Sequence, residues 1–400
     1  MSAALLKDAY LKALSLVTPE RLVSRWIAES GGVDASAVIA IGKCAAGMIE
    51  GLPSALRRNV FAAVPRGYPR PRSGVGVEVF TGGHPLPDDE SLAAGSALLR
   101  FVARRHGRIL LLLSGGSSAC VDAYDHDLLD RETYFELMLR LHRSGLSIER
   151  LNAVRASLSL IKGGGLGRAL PDGSLALIFS DVDPESPHVV GSGPTFDMNT
   201  ISLALEVLEE LKWEEASAVA SRLRVRRIEK QPSRVTNIVV ADNLKLLGAA
   251  ASSLTQNGMR ALIYPRQVEG DVADAARTIF RLVPEQPVVM VAGGEPTVKL
   301  RGDGTGGRCS ELVLHLLSIM RTEARGGTML IGSSDGVDGS SPAAGFLIDG
   351  SLPVKSVDQV EITEALARSD SYPLAARVAE PIMMPATGNN LRDLYLLARS

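Results

Sequence analysis

Short apolar runs that end on glycine or a small polar residue constrain this chain more than any other feature. They are VIAIG (38–42), VFAAV (60–64), VEVFTGG (77–83), RILLLLSGG (108–116) and LALIFSDV (175–182). A second series follows, with NIVVAD (237–242), ALIYP (261–265), VVMVAGGE (288–295), TMLIGSSD (328–335) and PIMMPATG (381–388). Continuous apolar runs of strand length, alternating with helical stretches, specify buried parallel strands of an α/β fold. At 400 residues there is chain for two full cores. The polar, basic stretch RLRVRRIEKQPSRV (222–235) separates the two strand series. It gives a division into 1–230 and 231–400, with the first helix free to pack on the later domain.

Bulk composition excludes several classes. The 43 basic and 45 acidic residues leave a formal charge of −2, so the balance speaks against a nucleic-acid scaffold and for a small-molecule partner. Cys44, Cys120 and Cys309 are scattered, without a C-x-x-C, which fits a reducing compartment better than a disulfide framework. The start MSAALLKDAYLKALSLV reads as an amphipathic helix rather than a leader, and runs such as ILLLL (109–113) are too short to span a bilayer. A cytoplasmic protein with no membrane partner is expected.

Nearly every polar, glycine-rich cluster follows an apolar run. In open parallel sheets that is where ligands bind, beyond the carboxyl ends of the strands and against helix N-termini. Ser114, Gly115, Gly116 and Ser117 form one such turn, suited to an oxyanion. Asp181 stands directly after the next run, where a carboxylate suits magnesium. Lys43 follows the first run among small residues, where a charge needs a reason. His84 and His188 have no companion at metal-ligand spacing, so zinc chemistry is not expected.

The stretch VAGGEPTVKLRGDGTGGRCSELVL (291–314) spells G-x-G-x-x-G at Gly302, Gly304 and Gly307. A dinucleotide fingerprint belongs in the first turn after a strand, and here PTVKLRG intervenes. A P-loop needs lysine and a hydroxyl where Arg308 and Cys309 stand. What remains is a glycine-rich loop, with Gly304, Gly306 and Gly307, feeding a helix that would present Arg308 and backbone N–H groups to an anion close to Glu295. Asp335 and Asp338 follow the TMLIGSSD run, in a turn that would supply a general base or a metal contact.

Taken together, IGKCAAGM (41–48), GGHPLPDDESLAAG (82–95), LSGGSSA (113–119), LNAVRASLSLIKGGGLGR (151–168), SDVDPESPHVVGSGPT (180–195), the 291–314 stretch, SSDGVDGSSPAAG (333–345) and ATGNNLRDL (386–394) resemble, in order, the class II glycerate kinases. That resemblance covers nearly the whole chain. It implies a larger Rossmann-like three-layer domain, a smaller α/β domain and an active site in the cleft between them. It also implies ATP-dependent phosphorylation of the C2 hydroxyl of D-glycerate with Mg²⁺. Lys43 matches the family's essential lysine, Arg308 its essential arginine and Asp335 the acidic position of the second domain. Ser114 to Ser117 match the glycine-serine loop. Asp181 is the expected magnesium ligand, and a homodimer stays open as the oligomer. The chain departs from the family at Cys309-Ser310, Ser117 and Asn389. A hydroxypyruvate reductase and a non-catalytic sugar-acid-binding protein are the alternatives.

Overall fold

The computed structural model describes residues 3–72, 76–226, 232–323, 326–350 and 357–399. They group into two compact units, Pro19–Val240 and the residues up to Thr18 together with those from Ala241 onward. The 230/231 boundary read from the sequence lies outside the described residues.

The first unit is built on one sheet of six strands, β1 (Ala37–Ile41), β2 (Val60–Pro65), β3 (Val77–Gly82), β4 (Ile109–Ser114), β5 (Leu175–Phe179) and β6 (Thr236–Ala241), in the order β3-β2-β1-β4-β5-β6. β1 to β5 run parallel. The central strands β1, β2 and β4 are buried along their whole length, which is why they read as unbroken apolar runs. The order reverses between β1 and β4, and this is where a parallel sheet opens a crevice. NIVVAD, grouped by sequence with the later strands, is the edge strand of this sheet instead.

The second unit carries β7 (Ala261–Val268), β8 (Val289–Gly294), β9 (Gly327–Ser333), β10 (Gly345–Ile348), β11 (Glu380–Ile382) and β12 (Asp393–Arg399), in the order β11-β10-β9-β12-β8-β7. This sheet is mixed, not parallel: only β7 and β8 pair in parallel. The last strand, β12, inserts antiparallel between β8 and β9; all seven of its residues pair with β9 and six of them, Asp393 to Ala398, also with β8. The helix Arg308–Glu323 connects β8 to β9 and buries Leu312, Val313, Leu316 and Leu317 in the core of this unit.

The first helix, Ala3–Leu16, packs within the second unit. Its Tyr10 is fully buried, the hydroxyl donates to the Ser333 carbonyl at 2.6 Å, and the ring lies where a side chain on Gly332 would stand. Among the described residues no helix is long and apolar enough to cross a membrane.

Candidate active site

In the first unit, the loops after β1 and β4 are hydrogen-bonded to each other, and the loop after β5 comes up against them. Lys43 N–H donates to the Gly115 carbonyl at 2.9 Å, and Cys44 N–H donates to Ser114 Oγ at 3.1 Å. Ser114 Oγ in turn donates to the Ile41 carbonyl at 3.3 Å, so its hydroxyl ties strand ends together instead of facing a ligand. Gly42 has φ 111°, and a Cβ there would stand 2.5 Å from the Ser114 carbonyl oxygen. Only glycine permits both that backbone and that approach.

Gly116, at φ 80°, lies under the Lys43 stem: a Cβ there would meet Lys43 Cγ at 3.0 Å. The Lys43 ammonium stands 5.4 Å from the centre of the Tyr68 ring, within cation–π range. A Cβ on Gly115 would fall 1.8 Å from Asp181 Oδ2, so the bare backbone at 115 is what lets that carboxylate approach. Lys43, Gly115, Gly116 and Asp181 are therefore brought to one strand-end edge. Burial lowers the pKa of His84, and the charge of Lys43 lowers it further.

Ser117 is buried, and its Oγ has no hydrogen-bond partner; Gly191 covers it closely enough that a Cβ there would come within 2.3 Å. The neighbouring hydroxyl, Ser118, joins a chain the sequence reading missed. Ser118 Oγ and Ser192 Oγ are 2.8 Å apart, and Ser192 Oγ donates to Asn152 Oδ1 at 2.8 Å. Ser192 holds φ 61°, a left-handed backbone uncommon for serine, and its place within G-S-G is the local signal that marks it.

In the second unit, a cavity of about 1010 Å³ is lined by Glu295, Gly304, Gly306, Gly307, Arg308 and Asp335 among others. The loop glycines serve close packing. A Cβ on Gly304 would meet Asp370 Cβ at 2.5 Å, one on Gly306 would meet Ser371 Oγ at 2.1 Å, and one on Gly307 the Asp338 carbonyl carbon at 2.4 Å. Their N–H groups are engaged inside the protein, contrary to the expected anion cradle. Gly304 donates to the Arg368 carbonyl at 3.2 Å, Gly306 to Ser340 Oγ at 3.1 Å, and Gly307 to Ser310 Oγ at 2.8 Å.

Asp338, fully enclosed, takes the next two donors, Cys309 N–H at 2.7 Å and Ser310 N–H at 3.0 Å. It caps the helix from a distance, which removes it from the candidates for a base or metal contact. Burial raises its pKa against the lowering effect of those hydrogen bonds.

Arg308 is the side chain this frame holds at the cavity. Nη1 donates to Glu295 Oε1 at 2.7 Å, Nη2 to Asp393 Oδ1 at 3.0 Å and Nε to Asp393 Oδ2 at 3.3 Å. Burial disfavours its charge, but Asp393 and Glu295 outweigh that and leave its pKa raised. Asp335 is half-buried, and its Oδ1 accepts from Ser333 Oγ at 2.7 Å and from Val337 N–H at 3.0 Å. The sequence reading passed over Asp393 and Arg392 within NNLRDL, although a charged pair opening an apolar strand is a visible signal.

Of the positions expected to depart from the family pattern, Cys309, Ser310 and Asn389 do not line the cavity. Cys309 is buried in the apolar core, Ser310 Oγ bonds Asp338 and Ser371, and Asn389 Nδ2 donates to the Val17 carbonyl at 2.8 Å.

Glu311, one turn into the helix, is 7 % exposed, and its pKa is raised to about 7. Burial is the main cause; Asp338 and Asp271 add to it and Arg301 opposes it. A carboxyl with a raised folded-state pKa adds stability below its unfolded value, and that stability is lost as pH rises towards 7. Glu311→Gln is therefore expected to stabilise the protein by up to about 3 kcal/mol at pH 8 and by almost nothing at pH 4. Thermal melts of both proteins at the two pH values check this, and an equal shift at both would refute it.

A family model described as a domain of unknown function (DUF4147) matches residues 5–224, and the MOFRL family model matches residues 288–393. A D-glycerate 2-kinase of Thermotoga maritima is 28 % identical, over 96 % of this chain and 95 % of its own length. The chain belongs to the glycerate 2-kinase family. A glycerate 2-kinase of Pyrococcus horikoshii is 29 % identical over 90 % of this chain and 86 % of its own. The crystal structure of a glycerate kinase from Thermotoga maritima superposes with a TM-score of 0.85 at 27 % identity, covering 98 % of each chain. A Pyrococcus horikoshii crystal structure superposes at 0.78 and 26 % identity, covering 99 % of this chain and 97 % of its own. The two family models thus meet the polar edges just described. Lys43, Ser114–Ser117 and Asp181 fall in the first, and Glu295, Arg308, Asp335 and Asp393 in the second.

Proposed function

We propose that this protein transfers the γ-phosphoryl group of ATP to the C2 hydroxyl of D-glycerate, giving 2-phospho-D-glycerate and ADP. One observation carries the reading: in a chain that covers glycerate 2-kinases almost end to end, Arg308 reaches the cavity clamped by two carboxylates. Of the five N–H donors of a guanidinium, three are engaged, so two remain for an anionic group.

Arg308 offers those two donors to a carboxylate or phosphate oxygen pair. Asp335 accepts the proton as the C2 oxygen forms its bond to the γ-phosphorus and the bond to the leaving ADP oxygen breaks. With Oδ1 holding Ser333 and Val337, Asp335 keeps its second oxygen for this role. Lys43, laid along the bare backbone of Gly116, supplies positive charge to the transferring group.

Asp181 at the Gly115 cradle fits a magnesium ion carried by substrate phosphates, because such an ion keeps several waters and needs only one or two carboxylates. Among the described residues no group of three or more His, Cys, Asp or Glu side chains converges to hold a metal unaided, which also suits an ion delivered with the nucleotide. When bound, magnesium neutralises charge on the phosphates.

The test is ADP release with ATP and D-glycerate, L-glycerate, hydroxypyruvate or no acceptor, with the product read by phosphorus NMR. ADP formed only with D-glycerate, phosphate on C2, and loss of turnover on chelation with recovery by Mg²⁺ are expected. Phosphate on C3, or NAD(P)H oxidation with hydroxypyruvate in place of ADP release, would overturn the proposal.

A further inference from the structure

We infer that Asp393 is a positioning residue that sets the orientation of Arg308, and so acts on the reaction only through that guanidinium. The inference rests on the kinase reading above, in which Arg308 binds an anionic group. Asp393 is the first residue of β12 and has no exposed surface. Its two oxygens meet Nη2 and Nε of Arg308 at 3.0 and 3.3 Å, a two-point contact that fixes the guanidinium plane. Glu295 then fixes the rotation in that plane by holding Nη1 at 2.7 Å. The unused donors are one N–H on each terminal nitrogen, the pair that matches two oxygens of a carboxylate or phosphate.

Asp393 is itself held on several sides. Tyr395 Oη donates to its Oδ2 at 3.2 Å, and its backbone carbonyl accepts from Asn243 Nδ2 at 3.1 Å. The preceding residue, Arg392, is buried at φ 67°, and its guanidinium lies against Glu269 and, at 3.6 Å, against Glu295. A strained arginine at this point joins the second carboxylate to the same frame, so both acceptors of Arg308 are braced by one short segment.

The charge balance favours orientation over attraction. Glu295 and Asp393 both contact the Arg308 guanidinium, and Arg392 shares only Glu295, so Arg308 contributes directed N–H donors more than net positive field. A rotated donor pair then loses its effect even with the charge retained.

The experiment compares Asp393→Asn and Asp393→Glu in the wild-type chain and in an Arg308→Ala background. Each substitution is expected to lower kcat by about 10- to 100-fold in the presence of Arg308, because small misplacements of a positioning group cost on that order. In the Arg308→Ala background the same substitution is expected to change kcat less than about twofold, since groups acting as one unit are non-additive. The same factor in both backgrounds, or full activity in a folded Asp393→Glu protein, would overturn the inference. Asp393→Glu keeps the charge, so a folding failure confined to Asp393→Asn leaves the test intact.

Wild-type protein without D-glycerate kinase activity would sink the functional reading and is seen at once in the control. In that event the Arg308 Nε–H signal in ¹⁵N-arginine spectra decides. Its loss in Asp393→Asn supports the positioning role, and an unchanged signal refutes it.

Discussion

Lys43→Met is expected to lower kcat/KM for D-glycerate phosphorylation by about a thousandfold, the upper range for removing one preorganised charge-stabilising group. Methionine keeps most of the stem that lies along Gly116 and removes the ammonium. An independent readout comes from His84, whose pKa is depressed first by burial and then by Lys43. Loss of the charge leaves the burial contribution in place, so the His84 pKa should rise in the variant while staying below its ordinary value. A proton NMR titration of the imidazole follows it. A risen His84 pKa with near-wild-type turnover would show that the charge was removed and did not matter, which would sink the role given to Lys43.

Asp122→Ala is expected to cost about 3–5 kcal/mol of stability, the range for stripping one partner from a buried ion pair. Lys162 and Asp122 are 1 % and 2 % exposed and pair with each other inside the first unit. Tyr134 Oη and Ser159 Oγ each donate to the same carboxylate at 2.6 Å. The cluster joins the helical turn after Ser117 to the turn at Gly163–Gly164, whose N–H groups donate to the carbonyls of Ser192 and Gly193. It therefore braces the Ser114–Ser117 loop from behind.

Burial lowers the Lys162 pKa, and Asp122 opposes that shift. Without Asp122 the folded-state pKa falls further below the unfolded value. The unfolded chain then binds more protons in that interval, and stability rises with pH across it. The variant should accordingly lose less against wild type at pH 9.5 than at pH 7. Denaturant melts at both values check the sign, and a loss that does not shrink at pH 9.5 would contradict the account.

Much of the molecule was legible in local pattern. The five runs of the first series became β1 to β5; β1, β2 and β4, buried on both faces, need no alternation and leave an unbroken apolar signature, whereas the edge strand β3 is only partly buried. The placement of polar clusters after those runs located Lys43, Gly115, Gly116 and Asp181 at strand ends, since parallel strands aim their carboxyl ends one way. In the later series, ALIYP, VVMVAGGE and TMLIGSSD became β7, β8 and β9. The four-residue β10 and the terminal β12 went unread, and PIMMPATG supplied only the three-residue β11.

What the sequence alone determined, then, was which segments are strands, which turns carry the charged groups, and which family the ordered blocks match. Tertiary structure decided the rest. The antiparallel seat of β12 depends on two neighbours whose pairing no local period encodes. Gly304 and Gly306 read as a phosphate loop, yet residues 370–371 are what require them to be bare. Asp335 and Asp338 look alike in sequence, but one lines the cavity and the other is buried as a helix cap. Arg308 and Asp393 stand 85 residues apart and meet only because β12 starts beside the end of β8. Local pattern reports burial and turn chemistry within a few residues. Which distant charge satisfies which is set by packing, where a buried group must find its partner or cost the fold its stability.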